Sequence, residues 1–198
     1  SQLANTPFFV WDPRVGIQGQ RRQSLVQPAI DIGPSLLDFF GMEPTADMTG
    51  KALRPVVEND NSVRDAAIFG LHGGMVNVTD GRYVYMRAAS PDNTPLYEYT
   101  LMPTHMNKAF APDEVQQMEL VPPFSFTKNC QTLKIPGRKP MAGGQKGFST
   151  ALYDLQADPG QEAPLYDAAI ETRLVGQMRE LMRQCDAPAE QYERIGLA

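Results

Sequence analysis

The chain has 198 residues, 18 Lys and Arg against 23 Asp and Glu for a net charge of −5, and is 42% hydrophobic and 21% charged. This length fits one domain, or one with an appendage, at roughly 100–200 residues per domain. The acidic balance argues against the clustered basic footprint that a duplex nucleic-acid binder needs to displace counterions. Seventeen Pro and 16 Gly predict many turns and long irregular connections in a globular chain.

No stretch approaches the ~20 apolar residues that cross a bilayer, and the N-terminus lacks the basic-then-apolar layout of a signal peptide. No membrane association is expected, and the compartment, cytoplasmic or periplasmic, stays open. Cys130 and Cys185 are the only cysteines, with no CxxC pair and no His at metal-ligand spacing. Neither a zinc site nor a disulfide framework is indicated, and a single Cys130–Cys185 bridge stays open.

In chain order, Pro7-Phe8-Phe9-Val10-Trp11 is an apolar run closed by Asp12-Pro13, which predicts a strand buried on both faces, as in a mostly parallel sheet. Because the sequence starts almost inside that strand, the natural beginning of the polypeptide is expected upstream. A polar loop follows over 14–23. Pro34 at a first helical position, Leu36, Leu37, Phe39 and Phe40, and Gly41 as terminator predict a short amphipathic helix.

Residues 66–87, AAIFGLHGGMVNVTDGRYVYMR, read as a strand, a Gly-rich loop bearing His72, and a tight hairpin. Asp80-Gly81 is the expected two-residue turn, since Gly accepts positive φ without a Cβ clash. Counting outward pairs Thr79 with Arg82 and Val78 with Tyr83. Val76, Val78, Tyr83 and Tyr85 then face a core, while Asn77, Thr79 and Arg82 face water.

Leu96 to Leu101 alternates and predicts a third antiparallel strand. Residues 102–147 hold six prolines and no sustained period, which predicts an arm or lid able to hold subunits together. Leu152 to Leu155 returns as a strand, and Asp158-Pro159-Gly160 predicts a type II turn with Gly160 at positive φ. Leu174, Val175, Met178, Leu181, Met182 and Cys185 form one stripe of a helix over about 167–185, with Pro188 beyond its end.

Few residues carry recognisable chemistry. His72, at a strand end beside Gly73-Gly74, either donates to an anionic oxygen of a ligand or hydrogen-bonds its own loop. His105, in MPTHM, is a weaker substrate-binding candidate against a plain surface role. Arg14, Arg21 and Arg22 could meet an oxyanion with guanidinium forks, although solvated loop charge explains them as well. Asp154, Asp158 and Glu162, evenly spaced by four, lack the alternating ligands of a calcium loop and read as turn and cap residues. The Lys-rich 128–146 segment has few interleaved aromatics and reads as a solvated arm. No serine stands in a G-x-S-x-G setting, so a serine-hydrolase triad has little support.

Five segments together resemble the C-terminal part of sulfatases, in the alkaline-phosphatase-like superfamily. They are PFFVWDPR (7–14), AIDIGPSLLDFFGM (30–42), MTGKAL (48–53), VTDGRYVYMR (78–87) and ALYDLQADPGQE (151–162). In that family these correspond, in order, to a late central-sheet strand, a D-I-x-P-T-L-L helix, a G-K-S-L turn, and the hairpin and L-Y-D-L-x-x-D-P-x-E strand of the C-terminal subdomain. The resemblance covers most of the chain apart from 102–147.

It implies an α+β fragment of an α/β/α sulfatase fold: residues 1–65 would end the catalytic domain, and 66–198 would form a subdomain with an antiparallel sheet and a C-terminal helix. It also implies a parent enzyme that hydrolyses a sulfate ester with a formylglycine and a divalent cation, calcium or similar. Neither Cys130 nor Cys185 stands in the family's C-x-P-S-R nucleophile setting, and the family's metal-binding residues precede the matched segments. The fragment is therefore expected to be inactive alone, with no catalytic or metal residue of its own, and to help shape the substrate entrance through His72 and its loop. The partners expected are the N-terminal catalytic part of the same protein, a small sulfate ester and a further copy in a homo-oligomer. The alternatives are a phosphodiesterase or phosphonate monoester hydrolase of the same superfamily and, in a different class, a non-catalytic oligomerisation module.

Overall fold

The computed structural model describes residues 6–16, 19–137 and 149–198. Its architecture is mixed α+β, with two small antiparallel sheets and five helices among the described residues. The first sheet orders β1 (Ala67–Gly70), β2 (Val76–Thr79), β3 (Tyr83–Arg87) and β7 (Ala151–Asp154) as β1-β2-β3-β7, and the second orders β4 (Tyr97–Thr100), β5 (Glu119–Val121) and β6 (Thr132–Pro136) as β4-β6-β5. The helices are α1 (Pro28–Phe39), α2 (Arg54–Asn59), α3 (Pro112–Gln116), α4 (Ala168–Gln184) and α5 (Ala189–Arg194). Two compact units result, each assembled from three stretches of chain: Ser1–Phe69, Asn77–Tyr85 and Ala151–Met178 in one, and Gly70–Val76, Met86–Thr150 and Arg179–Ala198 in the other.

In the first unit, Val78, Val84, Tyr85, Leu152, Leu174 and Met178 are buried as a core, and the Tyr85 hydroxyl donates to Glu171 Oε1 at 2.9 Å. The stripe expected on the last long helix is present through Leu174, Met178 and Met182, whereas Cys185 is exposed at its end. The hairpin forms, but its reversal lies one residue later than expected. Asp80 N–H donates to Tyr83 O at 3.3 Å, so Gly81 and Arg82 occupy the turn, and Asp80 Oδ1 takes the N–H groups of both Arg82 and Tyr83. Asp80 thus serves as an acceptor beside the turn rather than as its first central residue. The supposed water face is covered too: Asn77 is buried, its amide donating to Phe69 O at 3.2 Å, and Val84 is 2% exposed.

Helix α1 starts at Pro28, six residues before the expected Pro34, which lies buried inside the helix. A proline there removes the N–H that would reach the Ile30 carbonyl. Gly50 fills that place: its Cα packs so close that an added Cβ would lie 1.9 Å from Ile30 O. The side of α1 that is buried is also the polar one. Asp31 is fully buried, its carboxylate accepting Arg64 Nη1 and Nη2 at 2.5 and 2.6 Å, Gln27 N–H at 2.7 Å and Lys51 N–H at 2.9 Å. Ser35 donates to Asp31 O and accepts the Leu53 N–H.

The apolar side of α1, with Ile32, Leu36, Phe39 and Phe40, faces outward. Residues 7–11, expected as a fully buried strand, form none among the described residues. Exposures of 37, 91, 48 and 76% for Phe8, Phe9, Val10 and Trp11 alternate as an extended segment's do, with no neighbouring strand to pair it.

In the second unit, β4 pairs with β6 in the register Tyr97↔Pro136 to Thr100↔Leu133, and β5 pairs with β6 from Glu119↔Lys134 to Val121↔Thr132. The 96–101 strand therefore exists but belongs to a second sheet. The segment expected as an arm supplies α3, β5, a 3-10 turn at Ser125–Thr127 and β6; its remainder over 138–147, including about half of the Lys-rich stretch, lies outside the described residues. Strands of three to five residues are too short to show a period, and their stability comes from pairing across the sheet rather than from local propensity. At the 158–161 turn the positive φ falls on Gln161 (57°) and not on Gly160, so the turn is not type II.

Candidate functional site

The second unit holds a cleft of about 680 Å³ along the outer edge of β4. Edge position matters, because an outer strand offers backbone groups that a central strand spends on its neighbours. Tyr97, Glu98, Tyr99 and Thr100 all line the cleft, the 102–110 loop supplies His105, Asn107 and Phe110, and Gln191 comes from α5.

His72 lies in the wall of this cleft, and so does His105; the fold brings together two candidates 33 residues apart in sequence. The His72 side chain is half exposed, with Nε2 3.7 Å from Glu98 Oε1. His105 is nearly buried: Nε2 meets both Glu114 carboxylate oxygens at 2.9–3.0 Å, and the ring packs edge-on against Phe110. Glu114 also accepts the Ala111 N–H at 2.7 Å, at the start of α3. His105 is thus held by its own loop, and His72 is the more accessible of the two.

The wall behind the cleft is a connected polar cluster. The Tyr99 hydroxyl hydrogen-bonds Glu190, which also lies 3.6 Å from Lys134 Nζ, and that ammonium sits 4.0 Å from the centre of the Tyr97 ring. Burial and the adjacent Glu190 raise the Tyr99 pKa above the ordinary phenol value, so Tyr99 remains a donor. Glu190 is pushed up by burial, but Tyr99 and Lys134 outweigh this and hold it below the usual carboxylate range.

No Lys or Arg is among the described residues that line the cleft, and Glu98 faces His72. Such a lining suits uncharged hydroxyl or amide groups and an apolar ring face better than an oxyanion. The expectation that His72 meets an anion directly has a competing carboxylate to overcome.

The other candidates are engaged elsewhere. Arg14 grips Asp12 and Asp38, and Arg22 donates to Val57 O and Glu58 O. Asp154 binds Arg82 and the N–H groups of Gln156 and Ala157, and Asp158 accepts the Ala163 N–H, as turn residues do. Cys130 and Cys185 are free thiols. Among the described residues no three His, Cys, Asp or Glu cluster so as to hold a metal ion, so the cation that the resemblance implies finds no fitting group among them.

Sequence reasoning missed Glu98, Glu114, Tyr97 and Tyr99, whose convergence depends on the β4–β6 pairing and the α3 loop. The alternating LYEYTL run was the one available signal. Fold and cleft define a mixed α+β chain with a ligand-sized cleft on a sheet edge, lined by Glu98 and by no Lys or Arg among the described residues. No family model matches the sequence, and no curated protein does. Among solved structures the chain is similar to BT4656, determined in complex with its substrate D-glucosamine-2-N,6-O-disulfate, at 15% identity and a TM-score of 0.44, covering 81% of this chain and 24% of that one. The chain thus spans about a quarter of that protein's length.

Proposed function

We propose that this chain is the C-terminal portion of a sulfuric ester hydrolase, and that the cleft beside His72 receives the uncharged, hydroxyl-bearing part of the ester at the substrate entrance. The observation that carries the reading is the order and spacing of the five sulfatase-like segments. Two of them, AIDIGPSLL and MTGKAL, also meet in space: Asp31 and Ser35 of the first bind the backbone of the second, and Gly50 closes on the Ile30 carbonyl.

The outward apolar side of α1 adds support. Phe9, Trp11, Leu36 and Phe40 are 56–91% exposed, and exposed large apolar side chains of this kind suit contact with further polypeptide. On this reading that polypeptide is the catalytic part, which would supply the nucleophile and the cation. Because no Lys or Arg is among the described residues that line the cleft, the sulfate would be held by the catalytic part and the cleft would select the alcohol.

The test is turnover by the natural polypeptide that contains this chain, given aryl sulfate, aryl phosphate and aryl phosphonate esters of one leaving group. Preferential release of sulfate is expected. Preference for a phosphorus ester, or no turnover of any of the three, overturns the reading.

A further inference from the structure

The loop that carries His72 is tied down from behind by two buried side chains that nothing in the sequence marks as related. Between β1 and β2 the chain turns at Leu71–Gly74, with Gly74 N–H donating to Leu71 O at 2.9 Å and Gly73 at a φ of 66°. The two carbonyls that follow His72 both point into the protein. Gly73 O accepts Asn93 Nδ2 at 2.9 Å, and Gly74 O accepts Arg194 Nη1 at 3.0 Å. Arg194 Nη1 also reaches Asn93 Oδ1 at 2.9 Å, and its Nε donates to Gln191 Oε1 at 3.0 Å, so both clamp residues and a cleft-lining glutamine form one network.

Asn93 and Arg194 are 7% and 2% exposed. Burying a guanidinium is costly, and the usual remedy is a carboxylate. Arg194 instead makes its hydrogen bonds to three neutral acceptors, two of them belonging to the loop and its second anchor. A side chain needed only to fill space would more simply be apolar. Anchoring bonds run to the other side of Arg194 as well: its carbonyl accepts Ser90 N–H at 2.7 Å, and Arg87 donates to Ile195 O and Gly196 O at 2.8 Å.

We infer that Asn93 and Arg194 are positioning residues for His72, fixing the Gly73-Gly74 backbone so that the imidazole stands at the cleft near Glu98. This concerns the placement of His72, and its consequence for substrate rests on the proposed role of the cleft.

Only two histidines are present, so the ring Cε1–Hε1 spectrum of the full chain has two signals, and His72→Ala assigns them. The informative variant is Asn93→Asp. It keeps an acceptor for Arg194, now a charged one, and removes only the donor to Gly73 O. The expected result is an unchanged or raised melting temperature with the His72 signal shifted or broadened and the His105 signal, held by Glu114 and Phe110, in place. Arg194→Lys, which keeps charge but loses the fork, should also move the His72 signal alone.

If the His72 signal of Asn93→Asp superimposes on that of the parent chain, or if both histidine signals move together, the inference is overturned. In the natural polypeptide, the KM of His72→Ala with Asn93→Asp should equal that of His72→Ala, because the anchor acts through His72; additive effects contradict it. Should the signal move while His72→Ala leaves KM unchanged, the positioning stands and the substrate role of His72 falls.

Discussion

The two compact units each bury a charge, and they stabilise it in opposite ways. Asp31 is met by a guanidinium fork and two backbone N–H groups, so acid and base neutralise each other where water is excluded. Arg194 donates its hydrogen bonds to neutral oxygens of Gln191, Gly74 and Asn93. The first arrangement joins α1 to the 50–53 turn and to Arg64, and is a knot of the fold. The second directs its donors at the loop of His72, and stability alone would be as well served by an apolar side chain.

That contrast predicts different consequences of losing each group. Asp31→Ala leaves Arg64 buried without its acid and should destabilise the chain by about 3–5 kcal/mol, read as a lower urea midpoint. Gly50→Ala forces a Cβ onto the Ile30 carbonyl; a backbone shift of that kind should cost about 1–3 kcal/mol or more in the same measurement. Arg194→Met strands no charge, only neutral acceptors, and should cost about 1–3 kcal/mol, less than Asp31→Ala. A larger loss at Arg194 than at Asp31 would break the comparison.

Acid should separate the two sites as well. Burial raises the Asp31 pKa, but Arg64 and the Lys51 and Gln27 amides outweigh it and hold the native value below the ordinary one. A depressed carboxylate contributes stability above its unfolded pKa of about 3.9, and this is lost as pH falls through the native value. Urea midpoints should therefore drop below about pH 4 more steeply for the parent chain than for Asp31→Asn. Arg194 keeps its proton throughout that range and adds no slope. Smallest of all, His72→Ala at a half-exposed position should change stability by no more than about 0.5 kcal/mol.

Much of the first unit was legible. The Leu174 and Met178 stripe and the 151–154 strand each carry their signal within a few residues, and the hairpin was visible although its turn falls on Gly81 and Arg82 rather than on Asp80 and Gly81. Three features were not legible, for physical reasons. Pro34 looks like a helix start, but it lies inside α1, and Gly50, 16 residues on, packs against the Ile30 carbonyl that Pro34 leaves without its N–H. Asp31 reads as a polar surface position until Arg64 arrives by tertiary folding. The β4-β6-β5 sheet is built from strands of three to five residues whose pairing spans up to 39 positions of sequence, from Tyr97 to Pro136. The cleft inherits that difficulty: the histidines were visible, whereas Glu98, Glu114, Asn93 and Arg194 became relevant only once the chain had closed around them.

The most direct test of the functional account is the effect of His72→Ala on the natural polypeptide, followed as KM, kcat and melting temperature with an aryl sulfate. Loss of about one hydrogen bond to the alcohol part predicts a three- to tenfold higher KM, with kcat and melting temperature close to those of the parent. A lower melting temperature with KM unmoved would contradict the assignment of the cleft to substrate.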